Sequence, residues 1–452
     1  MRIRLIVVAL LLQISSVAQA EVYEKTLGNG LKVIVKEDHR APVLVQQVWY
    51  HVGSMDEKTG TTGVAHVLEH MMFKGTRKVP VGQFSKIIAA AGGRENAFTS
   101  YDHTAYFQQL HKSKLALAME LESDRMHNLQ MAEKEFSKEI KVVMEERRWR
   151  TDDDPHSLMY EKLMATAFSE HPYHHPVIGW MIDIQNMTAT DALSWYKSWY
   201  APNNATLVIA GDVKASEVFA LAQRYYGGIP AVKLPQRKAV GEAAQLGIQR
   251  IVVKAPAELP YLIMAYHAPT LRDAEKDWKP YALEMLAGVL DGNSSARLNK
   301  ALVRDQQVAM DVGTGYDSVA RGPGMFVLEG TPREGKSVGE VENAIREQLA
   351  LLVRDGVSAD ELQRVKAQVM AGEVYKRDSV FYQAMQIGQM ESDGLSYKDI
   401  PVMLQKLQAV TAQQVQDVAR EIFNDDQLTV ATLDPQPLSD KPRHTGGASH
   451  VH

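Results

Sequence analysis

Two histidines and a glutamate fall within five residues, HVLEH, as His66, Glu69 and His70. Imidazoles at i and i+4 of a helix project from one face, one turn apart, so this pair can chelate a single ion. Zinc takes neutral imidazole nitrogen and carboxylate oxygen in tetrahedral geometry, and a catalytic site keeps one position for water. Around them Val64, Val67, Leu68, Met71 and Met72 recur at i, i+3, i+4, i+7 and i+8, an apolar face that belongs in a core. The spacing predicts a helix over residues 62–73, with His66, Glu69, His70 and Phe73 on its second face.

A metal held this way needs a third protein ligand. In EFSKEIKVVMEERRWR, Glu139 and Glu146 are seven residues apart, two turns along one helix stripe, and Val142 and Val143 on that stripe point it inward. A carboxylate aimed at an interior needs a partner, and a divalent cation is one of the few that offset its desolvation. The segment also reads as a charged face pairing glutamate with arginine, the role expected for Glu145. His103 and His111 are expected to be ordinary satisfied or solvated side chains.

The elements that must position these groups sit in a chain of 452 residues, longer than one hydrophobic core usually supports. LKVIVKEDHRAPVLVQQVWYHVGS predicts two strands around a polar turn, followed by the HVLEH helix. Far downstream, IQRIVVKAPAELPYLIMAYHAP and KPYALEMLAGVL repeat that plan. Helical stretches such as SKLALAMELESDRMHNL and GEVENAIREQLALLVRDG alternate with strands such as ATLVIAGDV and QLTVATLDP. The expectation is an α+β fold of two homologous αβ domains, each a mainly antiparallel sheet packed with helices, over residues 21–232 and 246–435. The aperiodic stretch IPAVKLPQRKAVGEAAQ supplies the linker, residues 233–245, and residues 436–452 form a polar tail expected to be disordered.

Composition narrows the setting. Apolar residues at 45% and charged ones at 23% are ordinary globular values, and a net charge of -5 leaves no electrostatic footprint for nucleic acid. Residues 1–20 combine Arg2 and Arg4, an apolar run from Leu5 to Leu12 and the Ala18-Gln19-Ala20 pattern, a secretory leader cut before Glu21. That run is too short to span a bilayer, so stable membrane insertion is not expected. The chain has no cysteine, which removes thiolate ligands and cysteine nucleophiles and suits an oxidising exported compartment, most simply the periplasm.

The segments GSMDEKTGTTGVAHVLEHMMFKGT, ENAFTSYDHTAYF, HPYHHPVIG and WYAPNNATLVIAGDV, with Glu139 and Glu146 between them, run in one order over nearly all of the mature first half. They resemble the pitrilysin and insulinase family of zinc peptidases, inverted zincins whose H-x-x-E-H reverses the commoner H-E-x-x-H. The resemblance is greatest to the branch that holds mitochondrial processing peptidase and its bacterial relatives. It implies that His66, His70 and Glu146 bind one zinc ion per chain, that Glu69 is the general base and that Glu139 supports the site from behind the ligands. It also implies that Asn96, Ala97 and Phe98 form an edge strand for an extended peptide or unfolded segment, and that Arg304 helps hold substrate. Where the family usually has a tyrosine a few residues after that arginine, this chain has Met310, bracketed by Val312 and Tyr316. The expected activity is therefore zinc endopeptidase, as the catalytic member of a heterodimer whose partner carries an Arg and Tyr pair. A self-sufficient homodimer and a non-catalytic assembly subunit are the alternatives. His174 and His175 are read either as cleft-lining or as loop residues.

Overall fold

The computed structural model describes residues 22–438. The leader and most of the tail lie outside the described residues; Gln436, expected to open the tail, instead closes the last strand opposite Pro256. The first half runs through strands β1 (Val22–Thr26), β2 (Lys32–Glu37) and β3 (Val43–Tyr50), helices α1 (Val64–Met71) and α2 (Gln83–Ala90), and strands β4 (Arg94–Thr99) and β5 (Thr104–His111). Helices α3 (Leu115–Asn128), α4 (Glu133–Arg147), α5 (Pro155–Ala167), α6 (Met181–Asn186) and α7 (Ala189–Trp199), strand β6 (Ala205–Gly211) and helix α8 (Ala215–Tyr226) complete it. The second half has strands β7 (Gln249–Pro256) and β8 (Tyr261–Ala268), helix α9 (Lys279–Asp291), and strands β9 (Ala309–Tyr316) and β10 (Gly324–Pro332). Helices α10 (Val338–Asp355), α11 (Ala359–Asp378), α12 (Val380–Ser392), α13 (Ile400–Ala409) and α14 (Ala412–Ile422) follow, before strand β11 (Leu428–Gln436).

The sheets are ordered β1-β2-β6-β3-β5-β4 and β7-β11-β8-β10-β9. Without β1 the two orders coincide, so the internal repeat extends to topology. The two strands read around the polar KEDHRAP turn do form, but they do not pair with each other. β6 lies between them, parallel to β2 and antiparallel to β3, and β11 lies in the same way between β7 and β8. The cause is burial: ATLVIAG is buried at every position, and so apolar a strand belongs in the middle of a sheet, with ladder partners on both sides.

Each sheet packs its own helices against one face, forming the two large cores. The opposite faces are covered by exchange. Helix α12 of the second half lays Ala384 and Ile387 on Ile34, Val45, Trp49, Ala105 and Val208 of the first sheet. Helix α5 of the first half lays Met159 and Leu163 on Val253, Tyr261, Ile263, Ala431 and Leu433 of the second. The α12 contact is close enough that a Cβ on Gly388 would stand 2.0 Å from the Trp49 indole. Separating the halves would therefore uncover an apolar face on each sheet. The chain from Gly227 to Ile248 has neither helix nor strand, and it is tied down at Glu242, which accepts hydrogen bonds from the backbone N–H groups of Ser169, Glu170 and His171.

Candidate metal centre

Helix α1 starts at an unusual N-terminus. Its N-cap Gly63 has φ +87°, and no side chain of its own caps the helix. Glu57, upstream, accepts hydrogen bonds from the Gly63 and Ala65 N–H groups at 2.7 and 2.8 Å, placing a carboxylate at the positive end of the helix dipole. Asp183 holds the approach, accepting from Thr62 Oγ1 at 2.6 Å. Gly63 and Gly179 face each other backbone to backbone: a Cβ on Gly63 would come 2.4 Å from Ile178 O, and one on Gly179 2.3 Å from Thr62 O. The GTTG and HPVIG segments thus need glycine at both positions because the two loops touch.

All of α1 is buried, including His66, Glu69 and His70. Opposite it, at the end of α4, Glu146 Oε2 lies 3.1 Å from His70 Nε2 and 3.8 Å from His66 Nε2. Ligand atoms of His66, His70 and Glu146 all fall within 4.8 Å of one another, and this is the one group of its kind among the described residues. Glu139, two turns earlier on α4, takes the other imidazole nitrogen, with His70 Nδ1 3.0 Å from its Oε1, and its Oε2 accepts from Lys74 Nζ at 2.7 Å. Glu69 is held separately: Thr99 Oγ1 at the end of β4 donates to its Oε2 at 2.6 Å.

The charges are strongly coupled. Burial opposes ionisation of Glu146, but hydrogen bonding to His70 and the charges of His66, His70 and Arg150 outweigh it and bring its pKa down to about 2. Burial likewise pulls His70 down, yet its bonds to Glu139 and Glu146 raise it to about 9. Glu139 is lowered by the His70 and Lys74 contacts against the opposing effect of burial. Glu69 moves the other way: burial raises it above the ordinary carboxylate range, against the Thr99 hydrogen bond. His70 has a carboxylate against each ring nitrogen, so negative charge converges at a place that suits a divalent cation. Two imidazole nitrogens and one carboxylate, with one imidazole oriented through its far nitrogen, are a donor set that fits zinc.

One sequence expectation needs correction. Val143 is buried, but Val142 is 40% exposed, because the inward stripe of α4 runs through Phe136, Glu139, Val143 and Arg147, with Glu146 at its edge. The charged-face reading of the MEERR segment holds for Glu145, and Glu146 faces both ways. Glu145 pairs with Arg148, while Glu146 offers Oε2 to the histidines and Oε1 to Arg150 Nη1 at 2.8 Å.

Asn96, Ala97 and Phe98 lie on β4, which pairs with β5 alone and is the outer strand of its sheet. Strand alternation sends Phe98 away from α1, where it packs on Trp49 at 5.4 Å, and Thr99 toward Glu69. Arg304 is exposed on the π-helical turn Asn299–Asp305, and Met310, 51% exposed, is on the outer strand β9; neither element belongs to the metal-ligand group. His175 is buried with Nδ1 3.9 Å from Glu57, His174 turns Nδ1 to His171 O, and neither joins the group of His66, His70 and Glu146. His103 is satisfied by Asp393 at 2.8 Å and His111 is exposed, as expected of both. Sequence reading missed Thr99, Lys74 and Arg150. The last two stand at i+4 from His70 and Glu146, a legible signal; Thr99 had none.

A family model described as Insulinase (Peptidase family M16) matches residues 32–179, and one described as Peptidase M16 inactive domain matches residues 186–369. The zinc protease PqqE of Helicobacter pylori is 31% identical over 420 residues, 91% of this chain and 92% of that one. An uncharacterized zinc protease of Mycobacterium leprae is 30% identical over 413 residues, 90% of each chain. The crystal structure of a Helicobacter pylori protease superposes with a TM-score of 0.87 at 29% identity, covering 92% of this chain and all (100%) of that one. The periplasmic protease PqqL of Escherichia coli gives 0.79 at 19% identity, covering 93% of this chain and 49% of that one. Shared sequence over nearly its whole length, the two matching domain models and the same fold place this chain in peptidase family M16, the insulinase family.

Proposed function

We propose that the chain is an exported zinc metalloendopeptidase that hydrolyses peptides or unfolded segments, with His66, His70 and Glu146 as zinc ligands. The observation that carries this reading is Glu69: a buried carboxylate beside the ligand group, outside it, and oriented by a hydroxyl from the outer strand β4. When bound, zinc supplies Lewis acidity, lowering the pKa of water and polarising a carbonyl. The protein's own residues do the rest. Glu139 and Lys74 hold His70 so that its Nε2 faces the ligand group, and Arg150 holds the far oxygen of Glu146. An extended peptide adds to the free edge of β4, giving backbone affinity with loose side-chain preference. Glu69 accepts a proton from the attacking water at a carboxylate oxygen and passes it to the departing amine as the C–N bond breaks. The relatives named zinc proteases support this reading.

Export rests on the leader-like first twenty residues, and no described helix is long and apolar enough to cross a membrane. The chain matches about half of PqqL, which supports a pair of such units as the working assembly, with Met310 favouring a different chain as the partner. Elemental analysis of the mature protein is expected to find about one zinc per chain, and His70→Ala and Glu146→Gln should each lose it. Glu69→Gln should keep zinc and lose most peptidase turnover. Peptide cleavage by Glu69→Gln at the wild-type rate would remove Glu69 from the base role, and undiminished zinc in both ligand variants would overturn the site.

A further inference from the structure

Glu146 is followed at once by Arg147, and at about 100° per residue their side chains leave the end of α4 in different directions. Glu146 turns to the histidines of α1. Arg147 turns to α5, where Nη1 and Nη2 donate to the two carboxylate oxygens of Glu161 at 2.7 and 3.1 Å. Nη2 also stands 3.4 Å from Asp152 Oδ1. Both members of the pair are buried, and a two-pronged guanidinium–carboxylate contact fixes orientation as well as distance. Glu161 is fixed in turn by what α5 packs against, since Met159 and Leu163 on either side of it are buried among Val253, Tyr261, Ile263, Ala431 and Leu433 of the second sheet. Between α4 and α5 the backbone is a π-helical turn, Arg148–Asp152, a rare form that recurs at functional sites. An apolar pair could fill the same space without the desolvation of two charges, so fold stability alone does not account for an ion pair here.

We infer that Arg147 is a positioning residue for the metal centre. The Arg147–Glu161 pair passes the docking of α5 on the second half's sheet back to the last turn of α4, and so sets where the Glu146 carboxylate stands. The second half thereby acts on the metal centre without contributing a residue to the ligand group. This rests on the proposed ligand set of His66, His70 and Glu146.

The test measures zinc affinity of the full chain by competition with a chromophoric chelator, and the absorption spectrum of the cobalt(II)-loaded protein. The variants are Arg147→Lys, Glu161→Gln, Leu163→Ala and His70→Ala, with Glu342→Gln as a control. Glu342 is paired with Arg250 at 2.6 and 2.9 Å on α10, far along the chain from the ligands. Arg147→Lys and Glu161→Gln are expected to lose about tenfold in zinc affinity and to shift the cobalt bands, as removal of groups that orient a ligand does. Leu163→Ala, which loosens α5 without touching the pair, should move both readings in the same direction. Glu342→Gln should lower the melting temperature and leave affinity and spectrum as in the wild type. Unchanged affinity and spectrum in both pair variants, while His70→Ala abolishes binding, would overturn the inference and leave the ligand set standing. Wild-type binding by His70→Ala would overturn the ligand set and the inference with it. If neither pair variant folds, Leu163→Ala decides by the same two readings.

Discussion

His70 is the side chain on which the proposed centre turns, because both of its nitrogens face carboxylates: Glu139 at 3.0 Å and Glu146 at 3.1 Å. Burial lowers its pKa, but the carboxylates against both nitrogens raise it to about 9, so at neutral pH the ring carries a proton that a zinc ion bound here would displace. The sign follows directly. Zinc affinity should fall about tenfold for each pH unit below about 9, and metal-free stability from the ring should be full below the unfolded pKa and lost as pH rises through about 9. Calorimetric zinc titrations at pH 7.5 in buffers of different ionisation enthalpy should report about one proton released from this ring per zinc bound. Binding with no proton release would mean that His70 is already neutral. At this scale much was legible: the i and i+4 histidines and the glutamate stripe of α4 are local periodicities. Thr99 was not, because its contact with Glu69 spans thirty positions in sequence and exists only once β4 lies beside α1. The outward turn of Val142 was missed because seven-residue spacing gives the direction of a stripe without its width.

Single elements depend on contacts that no local pattern encodes. Gly60 and Gly63 share a left-handed backbone, at φ +94° and +87°, but a Cβ on Gly60 has nothing within 4 Å while one on Gly63 would stand 2.4 Å from Ile178 O. Gly60→Ala should therefore cost only the left-handed penalty, about 1–2 kcal/mol. Gly63→Ala should cost clearly more and also weaken zinc binding, because the backbone it displaces is the start of α1. Thermal melts and zinc competition on the two variants check this, and equal effects would mean that the loop contact does not position the helix. The strands were legible from their β-branched, apolar runs, whereas their partners were not. β2 and β6 pair across more than 170 positions, as Lys32 with Thr206 shows, and the expected local hairpin gives way to that non-local ladder. That α5 and α12 each cover the other half's sheet was likewise not legible, because those contacts join residues far apart in sequence.

For the whole molecule, the repeat places β9 where the first half has β4, at the outer edge of its sheet, and there the two halves differ in chemistry. The first half has the proposed ligand group of His66, His70 and Glu146 beside its edge strand; the second has Arg304 on an exposed turn and Met310 exposed on the edge itself. A methionine thioether donates no hydrogen bond, so the contact that the family resemblance assigns to a tyrosine cannot come from Met310. Loss of one donor to a developing oxyanion costs on the order of 3 kcal/mol, about a hundredfold in rate. If the working enzyme is a pair of units that together enclose a peptide, a partner with an arginine and a tyrosine at these positions restores what this chain lacks. The chain assayed alone should then be slow, and adding such a partner should raise peptide turnover at least about tenfold on the same scale. Met310→Tyr should recover part of that gain without the partner, since it supplies the donor in a second copy of the same chain. The zinc content of this chain should be the same in all three assays, because Met310 lies outside the ligand group. Full turnover by the chain alone, unchanged when the partner is stably bound, would establish a homodimer that works without the tyrosine and would shift the search for the oxyanion donor to residues of the first half.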